Sequence, residues 1–162
     1  MRFRSDFRLT DYIPYQVSIL AGLIRSGLGS EIDRRFGLNI AEWRVMMTVG
    51  AFSPVTTKTI SDHTTTAKAE ISRAVTRLVK DGVLVRVVDP RDKRKVLLWF
   101  SEEGADLHRR LQDFAVEWED QMLSVLSDTE HEQLMDLLTR LRAHLTHAMK
   151  ISETSIMDAA LG

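Results

Sequence analysis

The sequence predicts a mainly α-helical protein with one small β-hairpin, in which two short helices and the hairpin are flanked by long helices. Three observations carry that prediction. Apolar residues recur every three or four positions over most of the 162 residues. The period changes to strand type only at residues 83–88 and 96–100, both rich in valine or leucine. Between those segments lies Asp89-Pro90-Arg91-Asp92-Lys93-Arg94-Lys95, a polar hairpin loop with a proline and four cationic side chains.

The elements follow in order. Ile13, Val17, Leu20, Ile24, Leu28, Ile32 and Phe36 mark one long amphipathic helix. Pro14 suits its first turn and Gly37 its stop. Asn39-Ile40-Ala41-Glu42 reads as a capping box, in which Asn39 accepts from the amide three residues on and Glu42 reaches back. The helix it opens carries Trp43, Met46, Met47 and Phe52 and ends before Pro54. A short helix is expected over residues 57–63 and another over 68–81, with Ile71, Val75, Leu78 and Val79 on one face and Lys68, Ser72, Arg73, Thr76, Arg77 and Lys80 on the other. Two short helices joined by a tight turn form a helix-turn-helix, and a hairpin directly after it is a wing. Gly82 ends the second short helix. Ser101 caps a long helix bearing Leu107, Leu111, Phe114, Trp118, Met122 and Val125. Ser127-Asp128-Thr129-Glu130 is a second capping box, opening a helix with Leu134, Leu137, Leu138, Leu141, Leu145 and Met149. From about residue 151 the pattern is lost.

A hydrophobic fraction of 44% suffices for a packed core and excludes intrinsic disorder. The absence of cysteine excludes disulfides, thiol switches and Cys-ligated zinc. No apolar run approaches the ~18–20 residues that span a bilayer, and the first residues lead into no signal-peptide core. One compact cytoplasmic domain without membrane attachment is therefore expected. The net charge of −1 hides a segregation. Residues 68–100 carry nine basic and four acidic groups, whereas residues 101–147 carry four basic and eleven acidic. A basic middle beside an acidic flank suits one face turned to a polyanion, although a solvated charged surface would read the same way.

The order of elements resembles the MarR family of winged-helix transcriptional regulators over nearly the whole chain. Asp89-Pro90-Arg91-Asp92-Lys93-Arg94 is similar to that family's Asp-x-x-Asp-x-Arg wing, with Asp92 and Arg94 on its key positions. Ile71-Ser72-Arg73 with Leu78 and Gly82 resembles its recognition helix. Glu42-Trp43-Arg44-Val45 and Ser101-Glu102-Glu103-Gly104 resemble the openings of two further helices. Thr64-Thr65-Thr66 departs from the Leu-Gly-Leu turn of many relatives, so the turn is expected to differ in shape or to be capped by a threonine hydroxyl. The resemblance implies a homodimer built from the terminal helices, and many such proteins are repressors released by small, often aromatic, ligands. Within a single domain, residues 1–37 and 101–150 would then be dimerisation helices and residues 39–100 the winged helix-turn-helix.

The major groove of DNA admits one helix, whose first turns do the reading. Those positions are Lys68, Ala69, Ser72 and Arg73, with Thr76 and Arg77 one turn on. Glu70 could accept from cytosine or simply favour the helix N-terminus. In the wing, Arg94 is the minor-groove candidate, because guanidinium is weakly hydrated and suits narrow grooves. Asp92 would orient it as a bidentate partner, or the pair merely stabilises the hairpin. Arg91, Lys93 and Lys95 supply phosphate attraction. Thr56 and Thr57 open the first short helix, where a hydroxyl serves either a phosphate or a cap; Thr57 is taken as a DNA contact. Trp43, Met46, Phe114 and Trp118 are a candidate effector pocket, with core packing as the rival role. His144 and His147 have no third ligand at a convincing spacing, so no metal is expected, and no cofactor either. No catalytic constellation is present, and an enzyme is not expected. The leading reading is a dimeric repressor on a pseudo-palindromic operator in double-stranded DNA, relieved by a small aromatic effector. The alternative is a winged-helix protein-interaction module.

Overall fold

The computed structural model describes residues 7–64 and 66–149. They fall into two compact units that divide between Ile40 and Ala41. The first holds a single 3-10 turn, Leu9–Asp11, and helix α1, Ile13–Phe36. Pro14 lies in the first turn of α1, and Gly37 closes it in the left-handed region (φ 64°), its N–H donating to the Asp33 carbonyl. That conformation is open to glycine at no steric cost. The predicted apolar stripe is present but unevenly covered. Ile32 is buried and Ile24, Leu28 and Phe36 are half-buried, whereas Ile13, Val17 and Leu20 are exposed.

The second unit carries helices α2 (Ile40–Phe52), α3 (Thr57–Asp62) and α4 (Lys68–Lys80), strands β1 (Leu84–Val88) and β2 (Val96–Phe100), and helices α5 (Glu102–Leu123) and α6 (Asp128–Met149). This is the mainly helical architecture with one hairpin that the sequence predicts. Its core gathers Val45, Met46 and Val49 of α2, Ile60 of α3, Ile71, Val75 and Leu78 of α4, Leu84 and Leu98 of the hairpin, and Leu111 and Phe114 of α5. The periodicity on α4 is clean: Ile71, Ala74, Val75 and Leu78 are buried, while Lys68, Ser72, Arg73, Thr76, Arg77 and Lys80 are exposed.

The strands pair antiparallel, from Leu84 opposite Phe100 to Val88 opposite Val96. Leu98 also pairs with Val55, whose carbonyl accepts from the Leu98 amide at 2.8 Å, so the hairpin is anchored to the segment between α2 and α3. Gly82 (φ 75°) turns the chain out of α4. The strand starts one residue later than its valine run suggests, because Val83 serves the junction. Its N–H donates to the Leu78 carbonyl, and its own carbonyl accepts from the amide and hydroxyl of Ser101. Gly104 passes so close to that carbonyl that a Cβ would overlap it, which explains a glycine within the first turn of α5.

Both later caps form as the sequence indicates. Ser101 Oγ accepts from the Gly104 amide at 2.9 Å. Ser127 and Glu130 make a reciprocal box, with the Glu130 carboxylate taking the Ser127 amide at 2.8 Å. Along α6, Met135, Leu137, Leu138, Leu141 and Leu145 are all exposed. Among the described residues, no helix is long and apolar enough to cross a membrane.

Candidate nucleic-acid interface

The helix-turn-helix is α3 and α4, and its geometry is set by short polar contacts. Thr56 caps α3: its hydroxyl accepts from the Thr59 amide at 3.1 Å. Thr57, the first residue of α3, is half-buried. The turn that follows buries Thr64 and Thr66, whereas Thr65 lies outside the described residues. Ala67 stands at the N-cap of α4 and makes no side-chain cap bond, while the Thr66 hydroxyl of the turn accepts from Arg44 Nη1 at 2.7 Å.

On α4 the exposed side chains Lys68, Ala69, Ser72, Arg73 and Thr76 share one face, at the helical spacings of three to five. Thr76 Oγ1 donates to the Ser72 carbonyl at 2.9 Å. Arg77 is in a different situation from its neighbours. Its Nη1 donates to both carboxylate oxygens of Glu42 at 3.0 and 3.3 Å, and its Nε lies 3.5 Å from Asp81. Glu42 is only 1% exposed, so a carboxylate read from sequence as part of a capping box also balances a charge on α4. An ion thus removed from water needs a partner of this kind.

The wing tip is built by aspartates. Asp89 Oδ1 accepts from the Arg91 amide at 2.8 Å, and Asp92 Oδ1 accepts from both the amide and Nε of Arg94 at 3.2 Å. The contact between Asp92 and Arg94 uses one carboxylate oxygen, so the pair is not the bidentate fork the sequence suggests. Asp92 Oδ2 faces Lys95 at 3.8 Å instead. The backbone hydrogen bond from Arg94, its side chain, and Lys95 hold the Asp92 carboxyl below the usual carboxylate range. Arg94 itself is 93% exposed, and Arg91, Lys93 and Lys95 are exposed beside it.

The four candidate effector-pocket residues divide. Met46 and Phe114 are buried in the core, whereas Trp43 and Trp118 are partly exposed, and Trp43 Nε1 is a buried donor without a hydrogen-bond partner among the described residues. A histidine that the sequence left unassigned lies at the root of the wing. The His108 ring stacks on Phe100 with centroids 4.9 Å apart and packs against Gly50, where a Cβ would collide with it. Burial holds its pKa below the ordinary value of 6.5. Nothing local to His108 signals this, since Gly50 lies 58 residues away in the chain. Among the described residues, no group of three or more His, Asp or Glu is placed to hold a metal ion.

Comparison with known proteins adds the ancestry. The model of the MarR family matches residues 36–95, from the end of α1 through the wing. An HTH-type transcriptional regulator of Bacillus cereus is 30% identical over 118 residues, covering 72% of this chain and 78% of that protein. Among solved structures, a MarR/EmrR family transcriptional regulator from Acinetobacter sp. ADP1 superposes with a TM-score of 0.76 at 27% identity, over 87% of this chain and 99% of that one. CouR from Rhodococcus jostii RHA1, bound to p-coumaroyl-CoA, shares the fold (TM-score 0.71, 21% identity, 83% of this chain and 94% of that one). The chain therefore belongs to the MarR family of DNA-binding transcriptional regulators, which are not enzymes.

Proposed function

We propose that this regulator is a homodimeric repressor that reads a pseudo-palindromic operator with α4, grips the adjoining groove with its wing, and is released by a small aromatic effector. The observation that carries the reading is the exposed face of Lys68, Ala69, Ser72, Arg73 and Thr76 on a helix whose opposite face is locked in the core, followed in the chain by a wing with four exposed cations. Arg73 would donate to guanine, Ser72 to a base edge or phosphate, and Ala69 would meet a thymine methyl. Arg94 would enter the minor groove, while Arg91, Lys93 and Lys95 attract phosphate. Thr57 stands where a hydroxyl can meet the backbone. Residues 39–100 form the DNA-binding part in this reading, and residues 1–37 and 101–150 the dimerisation helices.

The exposed stripes on α1 and α6 support the dimer: covering the exposed half of each leucine-sized side chain contributes about 1 kcal/mol. A two-fold axis would set the reading helices roughly one DNA turn (~10 bp) apart. The ligand bound to CouR supports an aromatic effector, for which Trp43, with its unpartnered Nε1, and Trp118 are the accessible candidates beside the buried Met46 and Phe114. Selection of bound duplexes from a random pool, followed by titration at two salt concentrations, tests the reading. A two-fold-symmetric consensus and steep salt dependence are expected. Failure to enrich any sequence, with binding to protein alone, would favour an interaction module. A stable folded monomer at micromolar concentration in light scattering would contradict the dimer.

A further inference from the structure

Two side chains of α2 reach the recognition segment, one at the turn before α4 and one near the end of α4. Arg44 Nη1 donates to Thr66 Oγ1 at 2.7 Å, two residues before the first residue of α4, and Glu42 accepts from Arg77 Nη1 at 3.0 Å near its end. Glu42 and Arg44 are two positions apart, so they leave α2 roughly 200° from each other around its axis. Their partners are eleven positions apart in the chain, one in the turn before α4 and one in its last turn. One arm on each side of α2 therefore holds one end of the turn-and-helix segment. Apolar packing of Ile71, Ala74, Val75 and Leu78 seats α4 in the core, and its attraction is non-directional. Two directional hydrogen bonds, one to the turn before α4 and one near its end, add resistance to sliding and rolling.

We infer that Glu42 and Arg44 are positioning residues for base reading: they set the pose of α4 through Arg77 and Thr66, and Arg77 serves this clamp and not the DNA backbone. The inference rests on the proposed reading of DNA by α4. Its chemistry follows from the geometry. Moving α4 by about an ångström displaces Arg73 and Ser72 from base edges, whose hydrogen bonds fail with small errors in distance and angle, while phosphate attraction is little changed. The clamp thus governs the ratio of operator to random-DNA affinity and not affinity for DNA as such. With Arg77 paired to Glu42 and Asp81, its own charge adds little unspecific attraction.

The test measures binding of the full-length protein to a duplex recovered by selection and to a random-sequence duplex, at fixed salt. Thr66→Val keeps the volume and removes the hydroxyl; Thr66→Ser restores it. Arg77→Gln cuts the other tie from its exposed end, and Glu42→Gln removes the buried charge. Thr66→Val and Arg77→Gln should each lower the operator-to-random ratio about tenfold, the scale of one lost base contact, with random-duplex affinity held by Thr66→Val. Thr66→Ser should keep the parental ratio. Glu42→Gln should lower the ratio while raising random-duplex affinity, because one of the carboxylates that balance Arg77 is removed. Equal losses on both duplexes for Arg77→Gln would make Arg77 a phosphate contact and overturn the inference, as would an unchanged ratio in a folded Thr66→Val protein. Arg73→Ala on the same duplexes separates the two levels. If it too leaves the ratio intact, the reading by α4 fails; if it collapses the ratio while Thr66→Val and Arg77→Gln do not, the clamp alone fails.

Discussion

On α4, the guanidinium of Arg77 is held by a carboxylate that is 1% exposed, and the helix beneath it is fixed by four buried side chains. At the wing tip, Arg94 is 93% exposed and its bonded carboxylate is two residues away on the same loop. Arg77 cannot leave Glu42 without removing a charged partner from a buried carboxylate. Arg94 can exchange Asp92 for another anion at little cost, since exposed pairs of this kind contribute about 0–1 kcal/mol. The difference teaches that two arginines of one winged helix-turn-helix can be held in opposite ways. In the proposed reading, one fixes the pose in which neighbouring side chains meet bases, and the other supplies a cation with reach.

The largest expected effect breaks the comparison at its foundation. Leu78→Ala, on the buried face of α4, should cost about 2–5 kcal/mol of stability. Val87→Ala, on the exposed face of the wing, should cost under about 1 kcal/mol. Denaturant titration of both variants measures this, and similar losses would mean that the wing is as firmly packed as the helix.

The next effect sharpens the account of the wing. A purely electrostatic wing would not distinguish the cation placed between Lys93 and Lys95. A guanidinium inserted in a groove is planar and sheds water readily, which an ammonium does less well. Arg94→Lys should therefore weaken operator binding nearly as much as Arg94→Ala, on the order of 1–2 kcal/mol per subunit. Asp92→Asn should show a smaller loss in the same direction. Full affinity in Arg94→Lys would reduce the wing to a diffuse cationic flap.

The smallest effect lies at the wing root. Burial lowers the pKa of His108, so the unfolded chain binds its proton at a higher pH than the folded one. The contribution to stability is complete above the ordinary value of 6.5 and is lost as pH falls toward the lowered folded value. Melting temperature should thus decline between about pH 7.5 and about pH 5.5, and His108→Phe should flatten part of that decline. An identical decline in His108→Phe would assign it to other groups.

Much of this architecture is legible in the sequence because its signals are local. Gly37, Gly82, Ser101 and the Ser127–Glu130 box mark element ends through contacts within a few residues, and the valine runs place the two strands to within one position. The exposed cations of α4 and the wing were legible for the same reason. What escaped notice is non-local. Glu42 meets Arg77 across 35 positions and Arg44 meets Thr66 across 22, and no periodicity encodes such pairs. Arg77 looked like its neighbour Arg73 because spacing places a side chain on a face but does not identify its partner. Gly50 gave no hint of the His108 ring that occupies the space a Cβ would need.

The central claim is that α4 reads bases through Arg73, and the affinity of Arg73→Ala for a selected duplex and for a random one tests it most directly. The account predicts a loss of about 1–3 kcal/mol per half-site on the selected duplex, relaxed preference at one base position, and a much smaller loss on the random duplex. Equal losses on both would make Arg73 a phosphate contact and contradict the claim.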